Sequence, residues 1–526
     1  MLVGLTQIGD VVGYERLPEG LKAIPGRLLY RGIDVNDLVK GIHGENRFGF
    51  EEAAFLLLSG YLPNREELES FQSLIHAFMP LGQKTKMNIL DLEGSNVMNI
   101  LARCVLEMYT FDENPDDTSR DNLMRQSIDL ISKFPTIIAY AYNIMRHSHG
   151  KTLHIRHPKE EYSIAENFLY MLKGEFSELE AKTLDRALVL HAEHGGGNNS
   201  TFTVRVTSSS GTDTYSSIAA AIGSLKGPLH GGANLAVMKM FDHLKENIRH
   251  WDKVTEIDQY LNKMLRKEAY DHTGLIYGIG HAVYTISDPR ALLLKEMARD
   301  LAKEKEREEE YAFLELLEER AIENFMNFKG TKVNKRVCAN VDFYSGFVYD
   351  MIGLPQEVFT PLFAMSRITG WTAPPYRRAE LRQQANHPSG LQERRRRTQV
   401  RTFETAVGDR RRTGGTLPHK TTVNDGIRNT VYNPEPHAGI LKRTRQNGSR
   451  QGAVLSYSRL PPQPYSGQNA HNPKRRCRFA SPSSATRLHK NTRIKIPVQF
   501  FNRNSPQCQC VMTNFAPVYP FRSGNQ

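Results

Sequence analysis

The sequence predicts a mainly α-helical body followed by an irregular, strongly basic tail. Apolar residues recur every three or four positions through most of residues 1–373, as in helices that pack one face on a core. Strand-like alternation is scarce in that part, and no internal repeat is found. Beyond residue 373 the periodicity stops. A chain of 526 residues is long enough for a large core and more than one domain.

Charge divides the chain at the same point. Residues 374–526 contain 28 Lys and Arg against 6 Asp and Glu, while residues 1–373 contain 41 against 51. The overall charge of +12 therefore gives no reason to expect that the body binds nucleic acid. Five irregularly spaced cysteines form no metal-ligand set and no disulfide framework. The amino terminus lacks the pattern of a signal peptide and no apolar run reaches 18 residues, so a reducing cytoplasm and no membrane are expected.

Helical periodicity marks most of the body. Residues 1–49 are expected to be irregular, and residues 201–207 fit a strand or a helix. One long charged helix is predicted from residue 289 to about 325, and a shorter run covers 347–352. The other predicted helices are 50–60, 66–79, 96–109, 127–145, 164–172, 178–194, 215–225 and 233–248.

Three histidines lie at helix ends or on helix faces. His230 lies in L-K-G-P-L-H-G-G-A-N, before a predicted helix whose positive amino end disfavours imidazolium, so a neutral donor is expected. A buried histidine at a helix corner explains these ten residues equally well. His191 falls on an apolar helix face and is expected in the core. His194 follows beside three glycines and is expected at a pocket rim. With no third ligand nearby, a metal bound by this pair is not expected.

Two arginines and one aspartate also suggest a site. In S-D-P-R, Asp288 is a good helix N-cap, so Arg290 falls in the first turn, where the helix dipole disfavours a cation. It calls for an anionic ligand or a nearby carboxylate. Arg367, on an apolar helix, needs an anion for the same reason. Asp342 lies among apolar residues, where it would be either the N-cap of a helix or a base in an apolar site.

Together these residues indicate chemistry on a small polyanion, and residues 1–373 resemble the citrate synthase family. The last three matching stretches are highly specific in their order and spacing. The stretches are Y-R-G-I-D-V-N-D-L, F-E-E-A-A-F-L-L-L-S-G-Y-L-P, H-A-E-H-G-G-G-N-N-S, G-P-L-H-G-G-A-N, G-I-G-H-A-V-Y…D-P-R and N-V-D-F-Y-S-G. The resemblance implies a two-domain, all-helical fold, with a large domain (1–232 and 356–373) and a small domain (233–355) that closes over the substrates. It also implies a homodimer with the site in the cleft between domains.

The implied reaction condenses acetyl-CoA with oxaloacetate and water to give citrate and coenzyme A, the entry to the tricarboxylic acid cycle. The enzyme would be an acyltransferase with no metal and no permanently bound cofactor, because the coenzyme A thioester is a substrate. By motif position, the implied oxaloacetate ligands are His194, His281, Arg290 and Arg367, with His281 also polarising the ketone. His230 is implied as donor to the enol oxygen, Asp342 as general base, and Gly278 and Gly280 as part of the coenzyme A contact.

Two other functions are weighed against this one. A 2-methylcitrate synthase would use propionyl-CoA, which is one methylene longer than acetyl-CoA. A pocket discriminates between substrates that differ by one methylene by only about 1–3 kcal/mol. A helical protein that binds nucleic acid through its Arg-rich tail would bind DNA in a salt-sensitive way without thioester turnover. The aligned His, Asp and Arg residues of the body weigh against it.

The tail departs from the family after Ala373. The family pattern continues helically and reaches a late Arg-Pro whose arginine contributes to the neighbouring subunit's site. Here two prolines follow, Pro374 and Pro375, and they predict that the helix carrying Arg367 stops near Ala373. Residues 374–526 are expected to be disordered and to pack against nothing.

A single-base frameshift near codon 374 is our hypothesis for this change. With one choice of codons, deleting one C makes the same bases read H-R-I-E-E-L-N-S-G-N-K-R-T-I-R-P-A-Y-K-N, which resumes the family pattern. A genuine disordered basic tail is the alternative.

We predict that the chain as written folds but is weak or inactive, and that the single-base-deleted form is active, because only the latter carries the cross-subunit arginine. Resequencing the gene tests the frameshift, and comparing thioester turnover of the two chains tests its consequence. Equal turnover from a verified long chain would contradict this interpretation of the tail.

Overall fold

The computed structural model describes residues 7–92, 94–330 and 336–385. All of them belong to one compact unit. No helix in these ranges is long and apolar enough to cross a membrane. The prediction of a mainly helical body is confirmed, with sixteen α-helices and three strands in the described residues.

A small antiparallel sheet begins the chain, so the prediction that residues 1–49 are irregular is wrong. Strands β1 (Gly9–Leu17), β2 (Gly20–Tyr30) and β3 (Ile33–Asp34) pair in the order β1-β2-β3, with Gly9 opposite Tyr30 and Leu17 opposite Gly20. A bulge shifts the register between Val12 and Tyr14, where Gly13 of β1 faces three residues of β2, 24–26. Glycine and the bulge broke the alternation that would have marked these strands.

Helices make up the rest of the described chain. The first nine are α1 (Val35–Gly44), α2 (Phe50–Ser59), α3 (Arg65–Phe78), α4 (Gln83–Asp91), α5 (Val97–Phe111), α6 (Arg120–Ser148), α7 (Ile164–Lys173), α8 (Glu178–His191) and α9 (Asn199–Ser209). The others are α10 (Thr214–Lys226), α11 (Ala233–Asn247), α12 (Val254–Leu265), α13 (Pro289–Glu304), α14 (Glu308–Lys329), α15 (Val341–Met351) and α16 (Phe359–Ala385). A 3₁₀ turn, Gln356–Val358, precedes α16.

Most predicted helices lie within a few residues of the observed ones, although α6 begins at Arg120 and not at 127, and α15 begins at Val341 and not at 347. Three other differences are larger. The ambiguous run 201–207 is helical, in α9. The single charged helix from 289 to 325 is two helices, α13 and α14, separated at Glu306, which has φ 54°. Helices α4 and α12 were not predicted. Helix α4 has few apolar residues, whereas α12 has a clear helical period, at Val254, Ile257, Leu261, Met264 and Leu265, that was missed.

The core lies around α6, α8 and α16. The central part of α6 is buried over several turns, α8 is buried from Glu180 to its end, and α16 packs against both. Trp371 on α16 is fully buried. Cys104 and Cys338, which lie in apolar stretches of the sequence, are buried and free.

The amino-terminal sheet packs against the loop before α13. The backbone N–H of Gly26 donates to the Ser287 carbonyl (3.1 Å), and the Tyr284 hydroxyl donates to the Arg27 carbonyl (3.1 Å). A Cβ atom on Gly26 would lie 2.2 Å from that Ser287 oxygen, so only glycine permits this approach. The sheet thereby holds the segment that carries His281 and Arg290.

Helix α16 does not stop at Ala373, and that prediction is wrong. The helix continues through Pro374 and Pro375 to Ala385. An interior proline costs a helix roughly 3 kcal/mol, but tertiary contacts offset it here. Tyr376 is 3% exposed and its hydroxyl accepts a hydrogen bond from Arg120 Nε (2.8 Å).

The expectation that the tail packs against nothing is therefore wrong for its first residues. Arg377 donates to Gln7 Oε1 at 2.8 Å, and Arg378 donates to the Arg205 carbonyl at 3.3 Å. The expected disorder of residues 386–526 concerns residues outside the described part of the chain. The boundary between a large and a small domain stays a prediction.

Candidate active site

One cavity collects the residues singled out in the sequence. Its volume is ≈ 150 Å³, and it lies between the ends of α8 and α10 and the starts of α11, α13, α15 and α16. All six predicted catalytic and substrate-binding residues line it, namely His194, His230, His281, Arg290, Asp342 and Arg367. Gly278 and Gly280 do not line it.

The two glycines instead join the segments that carry His281 and Asp342. Gly280 N–H donates to the Cys338 carbonyl (2.8 Å), and Asn340 N–H donates to the Gly278 carbonyl (2.8 Å). Gly278 and Gly280 have φ of 81° and 107°, a left-handed backbone that favours glycine. These short backbone contacts place His281 beside the first turn of α15. The predicted coenzyme A contact of the two glycines stays a prediction.

The ring of His281 has a defined tautomer. Its Nδ1 accepts hydrogen bonds from the backbone N–H of Val283 (3.1 Å) and of Tyr284 (2.9 Å). Since Nδ1 is an acceptor, the neutral ring carries its proton on Nε2. The ring also stacks on Tyr284 at 4.5 Å between centroids, which fixes its plane.

His230 has the opposite tautomer. The backbone N–H of Ser200 donates to its Nε2 (3.3 Å), and the Ser200 hydroxyl lies 3.0 Å from the same atom. The proton of the neutral ring is therefore on Nδ1. Burial, with a smaller contribution from Arg367, lowers the pKa of His230 to about 4. The predicted neutral state is supported, but burial rather than the helix dipole is its main cause.

His194 and His191 lie deeper in the cavity. His194 packs edge-on against His281 at 5.1 Å, and its buried Nε2 has no hydrogen-bond partner in the described chain. Burial, followed by Arg290, holds the pKa of His194 well below its usual range. His191 is 1% exposed, as expected for a core residue, and its Nε2 pairs with the Tyr349 hydroxyl. Its Nδ1 has no partner among the described residues, so His191 is both a core residue and part of the cavity wall.

Arg290 is 3% exposed and already has an anionic partner. Its Nε and Nη2 donate to the two oxygens of Asp288, at 3.0 and 2.7 Å. Asp288 also caps α13, as predicted, by accepting from the Arg290 backbone N–H (3.0 Å). The sequence left two possible partners for Arg290, an anionic ligand or a nearby carboxylate. The structure shows the nearby carboxylate, Asp288.

Arg367 is in a different position. It is fully buried, and its Nε donates to the His191 carbonyl (2.6 Å). Both terminal nitrogens, Nη1 and Nη2, are buried and have no hydrogen-bond partner among the described residues. Burial lowers the pKa of Arg367 to about 10, although Glu193 acts in the opposite direction. A buried guanidinium with two unused nitrogens calls for an anion from outside the chain.

Asp342 lies in the first turn of α15. The cap of that helix is Asn340, whose side-chain oxygen accepts from the Asp342 backbone N–H (3.0 Å), so the N-cap interpretation of Asp342 is wrong. Burial raises the pKa of the Asp342 carboxyl to about 6, while Arg290 acts in the opposite direction. A carboxyl with a pKa near 6 is suited to act as a base near neutral pH.

Sequence reasoning missed several neighbours of these groups. Ser200 positions His230 and follows two asparagines that were expected only to lie at a pocket rim, and Asn340 positions Asp342 by capping α15. Glu193, between the two histidines of H-A-E-H, is 2% exposed, and burial raises its pKa to about 7.

In the described chain no group of three His, Cys, Asp or Glu is arranged to hold a metal ion.

Comparison with known proteins agrees with this geometry. Residues 1–384 match the family described as citrate synthase, C-terminal domain. The chain belongs to the citrate synthase family. The match ends eleven residues beyond Ala373, the point at which we had placed the end of the resemblance.

The alignments with relatives in the family cover most of each relative's length. The chain is 38% identical to the citrate synthase of Deinococcus radiodurans, over 66% of this chain and 85% of the relative. It is 34% identical to the 2-methylcitrate synthase of Shewanella oneidensis, over 66% of this chain and 83% of the relative. The crystal structure of the citrate synthase from Pyrobaculum aerophilum superposes with a TM-score of 0.59 at 30% identity, covering 72% of this chain and 87% of that one.

The two arginines should respond differently to the same substitution. We predict that Arg290→Met lowers the free energy of unfolding by about 3–5 kcal/mol, because it leaves the buried carboxylate of Asp288 unpaired. Arg367→Met should instead change it by less than about 1 kcal/mol, because removing a buried charge that has no ion-pair partner among the described residues offsets the loss of the hydrogen bond to the His191 carbonyl. Denaturant unfolding of the two variants and the parent measures both values. A loss of similar size in both variants would show that Arg367 is compensated within the protein.

Proposed function

We propose that this chain is a citrate synthase, which condenses acetyl-CoA with oxaloacetate and water to give citrate and coenzyme A. The observation that carries the proposal is Arg367, a buried guanidinium facing a small cavity, whose two terminal nitrogens have no hydrogen-bond partner among the described residues. Oxaloacetate is a compact dianion. The carboxylates of oxaloacetate would accept hydrogen bonds from Arg367 and from the remaining terminal nitrogen of Arg290, with His194 as a further neutral ligand.

The first step forms the enol of acetyl-CoA. The methyl protons of a thioester are very weakly acidic, so a carboxylate base works only if the developing oxygen charge is stabilised at once. Asp342 takes the methyl proton, and the Nδ1 proton of His230 is donated to the enolate oxygen. A preorganised donor of this kind typically contributes about 3 kcal/mol. The tautomer of His230 set by Ser200 supports this role.

The second step forms the carbon–carbon bond. The enol carbon attacks the ketone carbon of oxaloacetate, the thioester carbonyl re-forms as the enol proton returns to Nδ1 of His230, and the Nε2 proton of His281 is donated to the ketone oxygen. The proton that Asp342 took from the methyl group passes through solvent to replace the one given by His281. Water then hydrolyses the citryl thioester, which releases coenzyme A and citrate. Closure of the predicted small domain over the large one would exclude water until that step. This sequence of proton transfers uses no permanently bound cofactor and no metal.

A 2-methylcitrate synthase is the second candidate, because a relative of that name matches at 34% identity. The citrate synthase of Deinococcus radiodurans is more similar, at 38% identity, which favours acetyl-CoA. A homodimer is part of the proposal, since the family pattern places an arginine of one subunit in the site of the other. We also place the protein in the cytoplasm, in line with its cysteine usage.

Activity is tested directly with both thioesters. We expect free thiol to be released from acetyl-CoA in the presence of oxaloacetate, by a chain with the repaired reading frame. Propionyl-CoA, assayed side by side, distinguishes the two candidates, because the better substrate identifies the enzyme. Turnover with neither thioester would contradict both assignments.

Asp342 should control the pH dependence. With its pKa at about 6, the base is protonated below that pH, so kcat/KM should fall about tenfold per pH unit below 6 and level off above it. Asp342→Asn should lower kcat by roughly 10²–10⁴-fold and leave oxaloacetate binding nearly intact, since the base acts on the other substrate.

Two further variants make this test specific. Arg290→Ala should weaken oxaloacetate binding directly. Asp350→Asn removes a carboxylate from the other end of α15 and should leave kcat and its pH profile unchanged. If Asp342→Asn weakens oxaloacetate binding while Arg290→Ala lowers only kcat, the two roles have been exchanged.

A further inference from the structure

One buried carboxyl group beside the catalytic cavity has no part in the proposed reaction. Glu193 lies just beyond the end of α8, is 2% exposed and does not line the cavity. Its Oε2 is buried and has no hydrogen-bond partner among the described residues. A buried carboxylate oxygen without a donor carries a large desolvation cost, and protonation removes much of that cost.

Four other elements surround this carboxyl group. A Cβ atom would lie 2.6 Å from Glu193 Cγ if placed on Gly9 of β1, and 2.2 Å from Oε2 if placed on Gly370 of α16. On β2, the hydroxyl of Tyr30 accepts from the Glu193 backbone N–H (3.3 Å). Arg205 on α9 acts on the carboxyl group through its charge. Backbone at such close range leaves the side chain little freedom to turn towards another partner.

The surroundings of Oε2 suit a protonated carboxyl. The Ala192 carbonyl oxygen would lie 2.4 Å from the same Cβ position on Gly370, so two acceptor oxygens border one point. A proton on Oε2 would make one of these acceptors a donor. The backbone N–H groups of His194 and Gly195 favour the ionised form instead. The geometry therefore accommodates both protonation states.

The ionised form of Glu193 compensates Arg367 while the cavity is empty. Arg367 lies one turn before Gly370 on α16, and no carboxyl group acts on its guanidinium more strongly than Glu193, which exceeds Asp342. The terminal nitrogens of Arg367 nevertheless have no hydrogen-bond partner in the described chain. A carboxylate ligand would neutralise the guanidinium directly, and Glu193 would then be a surplus negative charge in the interior.

We propose that Glu193 takes up a proton from solvent when oxaloacetate binds, so that Asp342 stays ionised as the base. The dianion adds negative charge to a region that already holds these two carboxyl groups, and a like charge favours their neutral forms. Glu193 is protonated first, because burial raises its pKa to about 7 and that of Asp342 only to about 6. This inference rests on the proposed function, since oxaloacetate is the ligand. Glu193 touches no reacting atom and acts as a positioning residue through its charge.

The other ionisable groups around Glu193 keep their charge between about pH 6.5 and 8.5. Burial holds the pKa of His191 and His194 well below its usual range, and that of His230 at about 4, so these rings stay neutral. Burial raises the pKa of Tyr30, which also stays neutral, and Arg367, with a pKa of about 10, stays charged. The two carboxyl groups are therefore the candidates for proton uptake.

Proton uptake is measured by titrating oxaloacetate into the full 526-residue chain in a calorimeter, in HEPES and in Tris, whose ionisation heats differ. If binding raises the pKa of Glu193 by about one unit, about 0.5 proton is taken up per oxaloacetate at about pH 7.5. The affinity is then highest below about pH 7 and falls about fivefold between about pH 6.5 and 8.5, because the proton must be acquired from an increasingly basic solution.

Three variants assign the proton. Glu193→Gln, an isosteric and permanently neutral replacement, should abolish the uptake and hold the affinity within about twofold over the same pH range. Asp342→Asn removes the competing carboxyl group and should retain the uptake. Glu19→Gln, at the exposed turn between β1 and β2, is the matched control for loss of one carboxylate and should behave as the parent. Thermal unfolding checks that each variant is folded.

A second readout does not require Glu193→Gln to fold. Difference infrared spectroscopy with isotopically labelled oxaloacetate should show the band of a protonated carboxyl appearing on binding, in the parent and in Asp342→Asn. Uptake that is lost in Asp342→Asn and kept in Glu193→Gln, or binding of oxaloacetate with no uptake and no new band, would overturn this inference alone. A parent that does not bind oxaloacetate would overturn the proposed function together with it.

Discussion

A positive charge buried without a hydrogen-bonding anion is the feature around which the site is built. Arg367 lies on α16, the helix that packs against α6 and α8 at the centre of the core. Its Nε is satisfied by the His191 carbonyl, and its two terminal nitrogens are not satisfied by the described residues. The protein bears this energetic penalty when empty, and a bound carboxylate would remove it. Binding energy and folding energy are thus linked through one side chain.

The same burial sets the protonation states of the other groups. Removal from water favours the neutral form of any ionisable group, so it lowers the pKa of His194 and His230 and raises the pKa of Asp342. The arginines add to the effect on the histidines and oppose it on the aspartate. The result is neutral imidazole donors beside a carboxyl that is largely ionised at pH 7. A single physical cause therefore prepares both hydrogen-bond donors and a base.

The parts of the site that depend on residues close together in the sequence were predicted from it. The cap of α13 by Asp288, the pairing of Arg290 with a nearby carboxylate as one of two alternatives, and the need of Arg367 for an anion all follow from local pattern and elementary electrostatics. The sheet was missed because its glycines serve contacts distant in sequence. Gly13 and Gly26 approach the backbone of Val283 and Ser287, more than 250 residues away.

The connection between His281 and Asp342 was hidden for the same reason. It is made by backbone groups of residues 278–280 and 338–340, and backbone hydrogen bonding leaves no pattern in side chains. The tautomers of His230 and His281 likewise depend on the N–H groups of Ser200, Val283 and Tyr284. Sequence identifies the chemical groups here, whereas their orientation depends on where the backbone passes.

The path of α16 shows how tertiary contacts can override a local rule. Two adjacent prolines predict a helix end, yet the helix continues because Tyr376 is buried and accepts a hydrogen bond from Arg120 on α6. Tyr376 belongs to the reading frame as it stands, so residues up to Ala385 fit the body whatever the origin of the tail. A helix there is therefore no evidence for or against a frameshift. The frameshift hypothesis concerns a later position: with one choice of codons, the alternative frame would encode an Arg-Pro at the family's spacing.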